Sequence, residues 1–102
     1  MSVIVIATAF PAPEHRAEVV KSFEAVVASV HDEPGCELYA LHEGRDRLVM
    51  IEKWASQDAL TVHGKSPALA ELHAALDGKL TADLDVQVLV AHPAGTVRQG
   101  TL

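Results

Sequence analysis

The chain has 102 residues, about the size of one domain around a single hydrophobic core. Eight basic residues face 14 acidic ones, a formal net charge of −6, which excludes nucleic acid or an anionic membrane surface as a main partner because both need a basic footprint. Apolar residues make up 49%, too many for a disordered chain, but aromatics only 4%, so small and β-branched side chains must supply most of the packing.

No apolar run approaches the roughly 20 residues of a membrane helix. The first ten residues lack a basic region, which points away from a secretory signal. The single cysteine, Cys36, has no intramolecular partner, and no Cys-x-x-Cys metal motif exists; both fit a reducing cytoplasm.

Residues 3–10 predict a strand whose β-branched residues fall on both pleat faces, Val3 and Val5 against Ile4 and Ile6. Pro11 and Pro13 end it. Pro13 and Glu14 then suit a helix start, and Val19, Val20, Phe23, Val26, Val27 and Val30 recur at helical spacing, which predicts a helix over 13–32. Pro34-Gly35 stops it. Strands over 36–43 and 47–54, joined by Gly44, Arg45 and Asp46, form an antiparallel hairpin. Parity places Leu48, Met50, Glu52 and Trp54 on one face and Val49, Ile51 and Lys53 on the other.

Ser56 is a candidate N-cap for a short helix reaching His63, which Gly64 and Lys65 interrupt. Ser66 and Pro67 open a further helix whose apolar stripe is Leu69, Leu72, His73, Leu76 and Leu80. A last strand runs over 84–91. The domain thus covers residues 1–95 and a polar tail 96–102, read as frayed or wrapped on a partner.

The order β-α-β-β-α-β is that of the α+β ferredoxin-like unit, a four-stranded antiparallel sheet with both helices on one face. The other face would be an apolar patch, so a second copy packing sheet to sheet is expected: a homodimer.

Six histidines are the first chemical feature. His15, His31, His42 and His92 lie at element ends and read as solvated. None makes a His-Glu-x-x-His metal motif. His63 ends a short helix beside a glycine, where it either bonds the following turn or serves as a proton acceptor near neutral pH. His73 lies on an apolar stripe, as a core residue or as a ligand or base. Glu52 interrupts an apolar strand and must be paired, hydrogen-bonded or protonated there. Trp54 and Tyr39, the only residues of their kinds, are either core or walls of a pocket for a flat ligand. No phosphate loop or Gly-x-Ser-x-Gly elbow occurs.

Two runs carry a resemblance. Glu33, Pro34, Gly35 and Cys36 precede Tyr39; Glu52, Trp54, Ser56, Ala59, Leu60, His63, Ser66 and Pro67 follow at fixed spacing. Over residues 2–92 the sequence resembles the antibiotic biosynthesis monooxygenase (ABM) domain family. The resemblance implies a ferredoxin-like fold paired into a dimeric α/β barrel, and monooxygenation of a small aromatic or quinol substrate by dioxygen with no bound cofactor or metal. It places Trp54 and His63 at positions that line the pocket and puts Glu52 in the same motif; on that basis we expect His63 as proton acceptor, Trp54 as stacking wall, Tyr39 and His73 as secondary pocket groups and Glu52 as an orienting partner. Other branches isomerise small molecules, bind ligands or degrade haem. His73 matches the haem-ligating position of that last branch, but Ala7 stands where it has Asn and His63 where it has Trp, which points away from haem; position 68, often His in the family, is Ala.

Overall fold

Val3–Ala9 form β1, the first strand of the computed structural model, which describes all 102 residues. A single 3₁₀ turn, Pro13–His15, precedes α1 (Arg16–His31). The proline fits the start of a helix, where no backbone donor is required of it. The helix predicted over 13–32 is therefore split: α1 begins at Arg16, after His15 leaves helical geometry with φ −110° and ψ 4°.

The hairpin follows as β2 (Cys36–Glu43) and β3 (Leu48–Trp54). Ser56 caps α2 (Gln57–Gly64), its hydroxyl accepting from the Ala59 amide at 3.1 Å. Ser66 does the same for α3 (Pro67–Leu76), accepting from Leu69 at 3.2 Å. Gly64 belongs to α2 rather than breaking it. Leu80 does not lie on α3: the helix stops at Leu76, Gly78 turns the chain with φ +76°, and Leu80 pairs with Pro11 in an isolated bridge. The last strand, β4, is Asp85–Leu89, shorter than the predicted 84–91, and in the tail Val97–Gly100 close one helical turn, α4.

The antiparallel sheet has the order β2-β3-β1-β4. Its core lies on one face, where Val5, Ala9, Tyr39, Leu48, Met50 and Trp54 pack against Val19, Phe23, Val26 and Val30 of α1 and Leu72 and Leu76 of α3. The burial pattern of β3 alternates strictly from Leu48 to Trp54, as parity predicts. Ile4, Ile6, Leu38, Val49, Ile51 and Leu89 belong to the opposite face, and none of them joins that core. β4 is exposed along its whole length, so Val86 and Val88, which pair with Ala7 and Val5, are half open to solvent.

Candidate active site

The strand β3 delivers Glu52 and Trp54 to the helix side of the sheet, two residues apart on one face. Tyr39 lies directly across from Glu52 in the register of β2 with β3, so their side chains share that face. The capped α2 then carries His63 back over the strand. Its imidazole, 4% exposed, stacks on the Trp54 indole with ring centres 4.4 Å apart and planes 28° from parallel. The Tyr39 ring meets the same imidazole edge to face, with ring centres 5.6 Å apart and planes at 67°.

A turn completes the cluster. Gly35 has φ +81°, a left-handed conformation that favours glycine. A Cβ there would meet the Ala59 methyl at 2.6 Å, so the missing side chain also lets the turn dock against α2. The Gly35 carbonyl accepts from the Ala55 amide at 2.8 Å. This docking brings Glu33 to His63, whose Nδ1 lies 2.9 Å from Glu33 Oε1. The opposite nitrogen, Nε2, lies 3.8 Å from Glu52 Oε1. Glu52 Oε1 in turn accepts from the Trp54 indole N–H at 2.9 Å. The imidazole is thus flanked by a carboxylate on each side, with an indole face beneath it.

Burial pushes the Glu52 carboxyl above the usual carboxylate range; the Trp54 N–H and His63 pull in the opposite direction but do not cancel it. Burial also raises the Tyr39 phenol, with Glu52 and Glu33 adding to the effect, so Tyr39 remains a neutral hydroxyl. The Cys36 thiol is raised by burial and by the same two carboxylates, which opposes formation of a nucleophilic thiolate.

A cavity of about 290 Å³ opens beside this cluster, between the sheet and α1 to α3. Its polar wall is Tyr39, Glu52, His63 and the rim residue His73; Val5, Phe23, Met50, Leu69 and Leu72 are among the apolar remainder, and Val86 and Val88 form the open side at β4. No lysine or arginine lines it.

Glu52, His63 and Tyr39 thus meet at one cavity. Two expected placements need correction. Trp54 does not border the cavity: it is fully buried beneath the His63 ring and supports that ring rather than offering a face to a ligand. His73 does not face the sheet. It is exposed at the rim, where it also borders a shallow hollow of about 470 Å³ beside the loop after α3, because Leu72 and Leu76 turn inward instead. Glu33 is the residue whose part was missed: it opens the Glu33-Pro34-Gly35-Cys36 run that carries the resemblance, but that run gives it no role, and the turn that docks it is the signal for one. No three His, Cys, Asp or Glu side chains converge as metal ligands.

The antibiotic biosynthesis monooxygenase family model matches residues 2–75, nearly three-quarters of the chain. The chain belongs to this family. Among ABM relatives, the Mycobacterium tuberculosis protein named "Putative monooxygenase Rv0793" is 34% identical over 89 residues, 85% of this chain and 88% of that one. The solved structure of Rv0793 superposes with a TM-score of 0.87 at 30% identity, covering 94% of this chain and all of that one. A structure from Caulobacter crescentus described as a "putative antibiotic biosynthesis monooxygenase" has a TM-score of 0.83 at 29% identity over 89% of this chain and 90% of its own. The ABM match agrees with the ferredoxin-like architecture. No helix of the chain is long and apolar enough to cross a membrane.

Proposed function

We propose that this ABM domain is a cofactor-independent monooxygenase that oxidises a small hydroxylated arene or quinol with dioxygen. The observation that carries the reading is the Glu33–His63–Glu52 cluster at the wall of an otherwise apolar cavity, a proton acceptor beside a space for a flat ring. At about 290 Å³ the cavity lies at the small end of ligand sites, so it suits one or two fused rings.

In this reading the substrate hydroxyl lies against His63 Nε2 and gives up its proton. The resulting phenolate supplies the electrons: a ring carbon forms a C–O bond to dioxygen, and the proton returns from His63 to give a hydroperoxide. Loss of the ring hydrogen and cleavage of the O–O bond then yield a carbonyl and water. One oxygen atom ends in the product, the other in water with the two hydrogens the substrate lost, so no external reductant is consumed. The chain's own work is to hold the ring, take and return one proton, and keep bulk water from the phenolate. The indole face below His63 favours the imidazolium formed on the way. The second apolar face of the sheet, where Ile6, Leu38, Val49 and Ile51 are partly exposed and join no core, supports action as a homodimer, each copy covering the other.

The test is oxygen uptake with a panel of hydroquinones and naphthols. His63→Ala is expected to lower kcat by roughly 10²–10⁴-fold, the contribution of a positioned base. Uptake with no member of the panel, or unchanged turnover in the variant, refutes the assignment. A second reading, a non-oxidative isomerase or ligand-binding module, is favoured by the same carboxylate–imidazole pair, which can move a proton between two substrate atoms. Anaerobic turnover separates the two.

A further inference from the structure

Glu33 stands behind the imidazole, away from the substrate space. It is absent from the cavity wall, yet its side chain is only 14% exposed and its Oε1 meets His63 Nδ1 at 2.9 Å. Its second oxygen, Oε2, is sealed from solvent and bonded by no protein group. No helix cap and no sheet bond employs this carboxylate; the one side-chain hydrogen bond it makes is to His63. Burying a carboxylate is costly, and here the fold bears that cost for a single contact. The turn that makes the contact relies on the special conformation of Gly35 and on its close approach to Ala59.

We propose that Glu33 is a positioning residue that fixes the tautomer of His63, holding it with the proton on Nδ1 so that the lone pair of Nε2 faces the cavity. A neutral imidazole has one N–H and one lone pair, and the partner of one nitrogen decides the state of the other. An unconstrained histidine in water favours the Nε2–H form. In this site that form would set the Nδ1 lone pair against a carboxylate oxygen at 2.9 Å and offer the cavity a donor in place of a base. With the proton on Nδ1, Glu33 accepts a hydrogen bond and Nε2 is free to accept from a substrate hydroxyl. When Nε2 takes that proton, Glu33 carries the counter-charge. The catalytic part of this role rests on the oxygenation reading above; the tautomer does not.

The two parts are separable by experiment. Long-range proton–nitrogen correlation spectra of the ¹⁵N-labelled full chain, without substrate and at a pH where the imidazole is neutral, report which ring nitrogen of His63 is protonated. The wild type is expected to show Nδ1–H. Glu33→Gln keeps an acceptor at Nδ1 and is expected to keep that tautomer; Glu33→Leu removes the acceptor and is expected to shift His63 to Nε2–H. An Nε2–H form in the wild type, or an unchanged tautomer in Glu33→Leu, overturns the proposal. The wild-type spectrum decides even where the leucine variant fails to fold. On an oxidised substrate, Glu33→Leu is expected to lose at least about 10-fold in kcat, up to the roughly 10²–10⁴-fold that a base contributes, with KM little changed because Glu33 does not border the cavity. Glu33→Gln is expected to lose less. A protein that consumes no oxygen with any arene but shows Nδ1–H in the wild type refutes the oxygenation and retains the positioning.

Discussion

Replacing Trp54 with phenylalanine removes one hydrogen-bond donor from a buried carboxylate, and the cost must depend on pH. The indole N–H donates to Glu52 Oε1 at 2.9 Å, and the Glu52 side chain is 6% exposed. A bond to a charged group is worth roughly 1.5–3 kcal/mol and one to a neutral group roughly 0.5–1.5. Loss of the pyrrole ring beneath His63 adds roughly 1–2 kcal/mol, a fraction of the 3–5 for truncating a tryptophan to alanine. The sign follows from linkage. Glu52 titrates higher in the folded chain than its ordinary value of 4.5, so between those two points the folded state binds the extra proton and stability falls as pH rises. The Trp54 N–H moderates that rise, and without it the folded carboxyl moves higher and more stability is lost above the window. Trp54→Phe is therefore expected to cost roughly 1.5–3.5 kcal/mol near the acid end and roughly 2.5–5 above the window, from the sums of these terms. Urea unfolding at fixed protein concentration measures both values, followed by circular dichroism because Trp54 is the only tryptophan. Glu52→Gln carries no titratable group, so in that background the pH dependence of the Trp54→Phe cost is expected to vanish. Equal costs at both pH values, or a double-mutant cycle additive within about 0.5 kcal/mol, would refute the coupling.

Gly35→Ala is expected to destabilise by at least about 1–2 kcal/mol from the left-handed backbone alone, with the clash against Ala59 added, and to loosen the Glu33–His63 bond; thermal melts and the His63 nitrogen spectrum check both. The cavity should select against anions. Glu33 and Glu52 bring two carboxyl groups to the cluster, and no lysine or arginine lines the space. A naphthoate is therefore expected to bind at least about 10-fold more weakly than the matching naphthol, since like charges a few ångströms apart repel by roughly 4 kcal/mol at an effective dielectric of 20; calorimetry showing equal affinity would refute this. The second, partly exposed apolar face of the sheet predicts a dimer at micromolar concentration burying more than about 1,000 Å², and sedimentation as a monomer would refute it.

The pattern that made the fold legible is local. Strict alternation along β3 placed Glu52 with Trp54, and the Ser56 and Ser66 caps marked two helix starts within one residue. Periodicity says which face a residue takes but not how far along the sheet a helix covers that face. His73 lay in an apolar stripe yet emerged at the rim, because α3 ends at Leu76 and leaves the β4 side of the sheet open. Trp54 illustrates a second gap: an aromatic on the right face is a cavity wall only where no other ring lies above it, and α2 sets His63 directly on it. The bond between Glu33 and His63 spans 30 positions, and no spacing rule reaches so far. Its local trace was the glycine. A Pro34-Gly35 pair reads as a helix stop, and it is one, but a helix stop does not require that a Cβ be absent on the side facing Ala59. That second demand on Gly35 exists because the turn must approach α2 closely, and the close approach delivers the carboxylate to the imidazole.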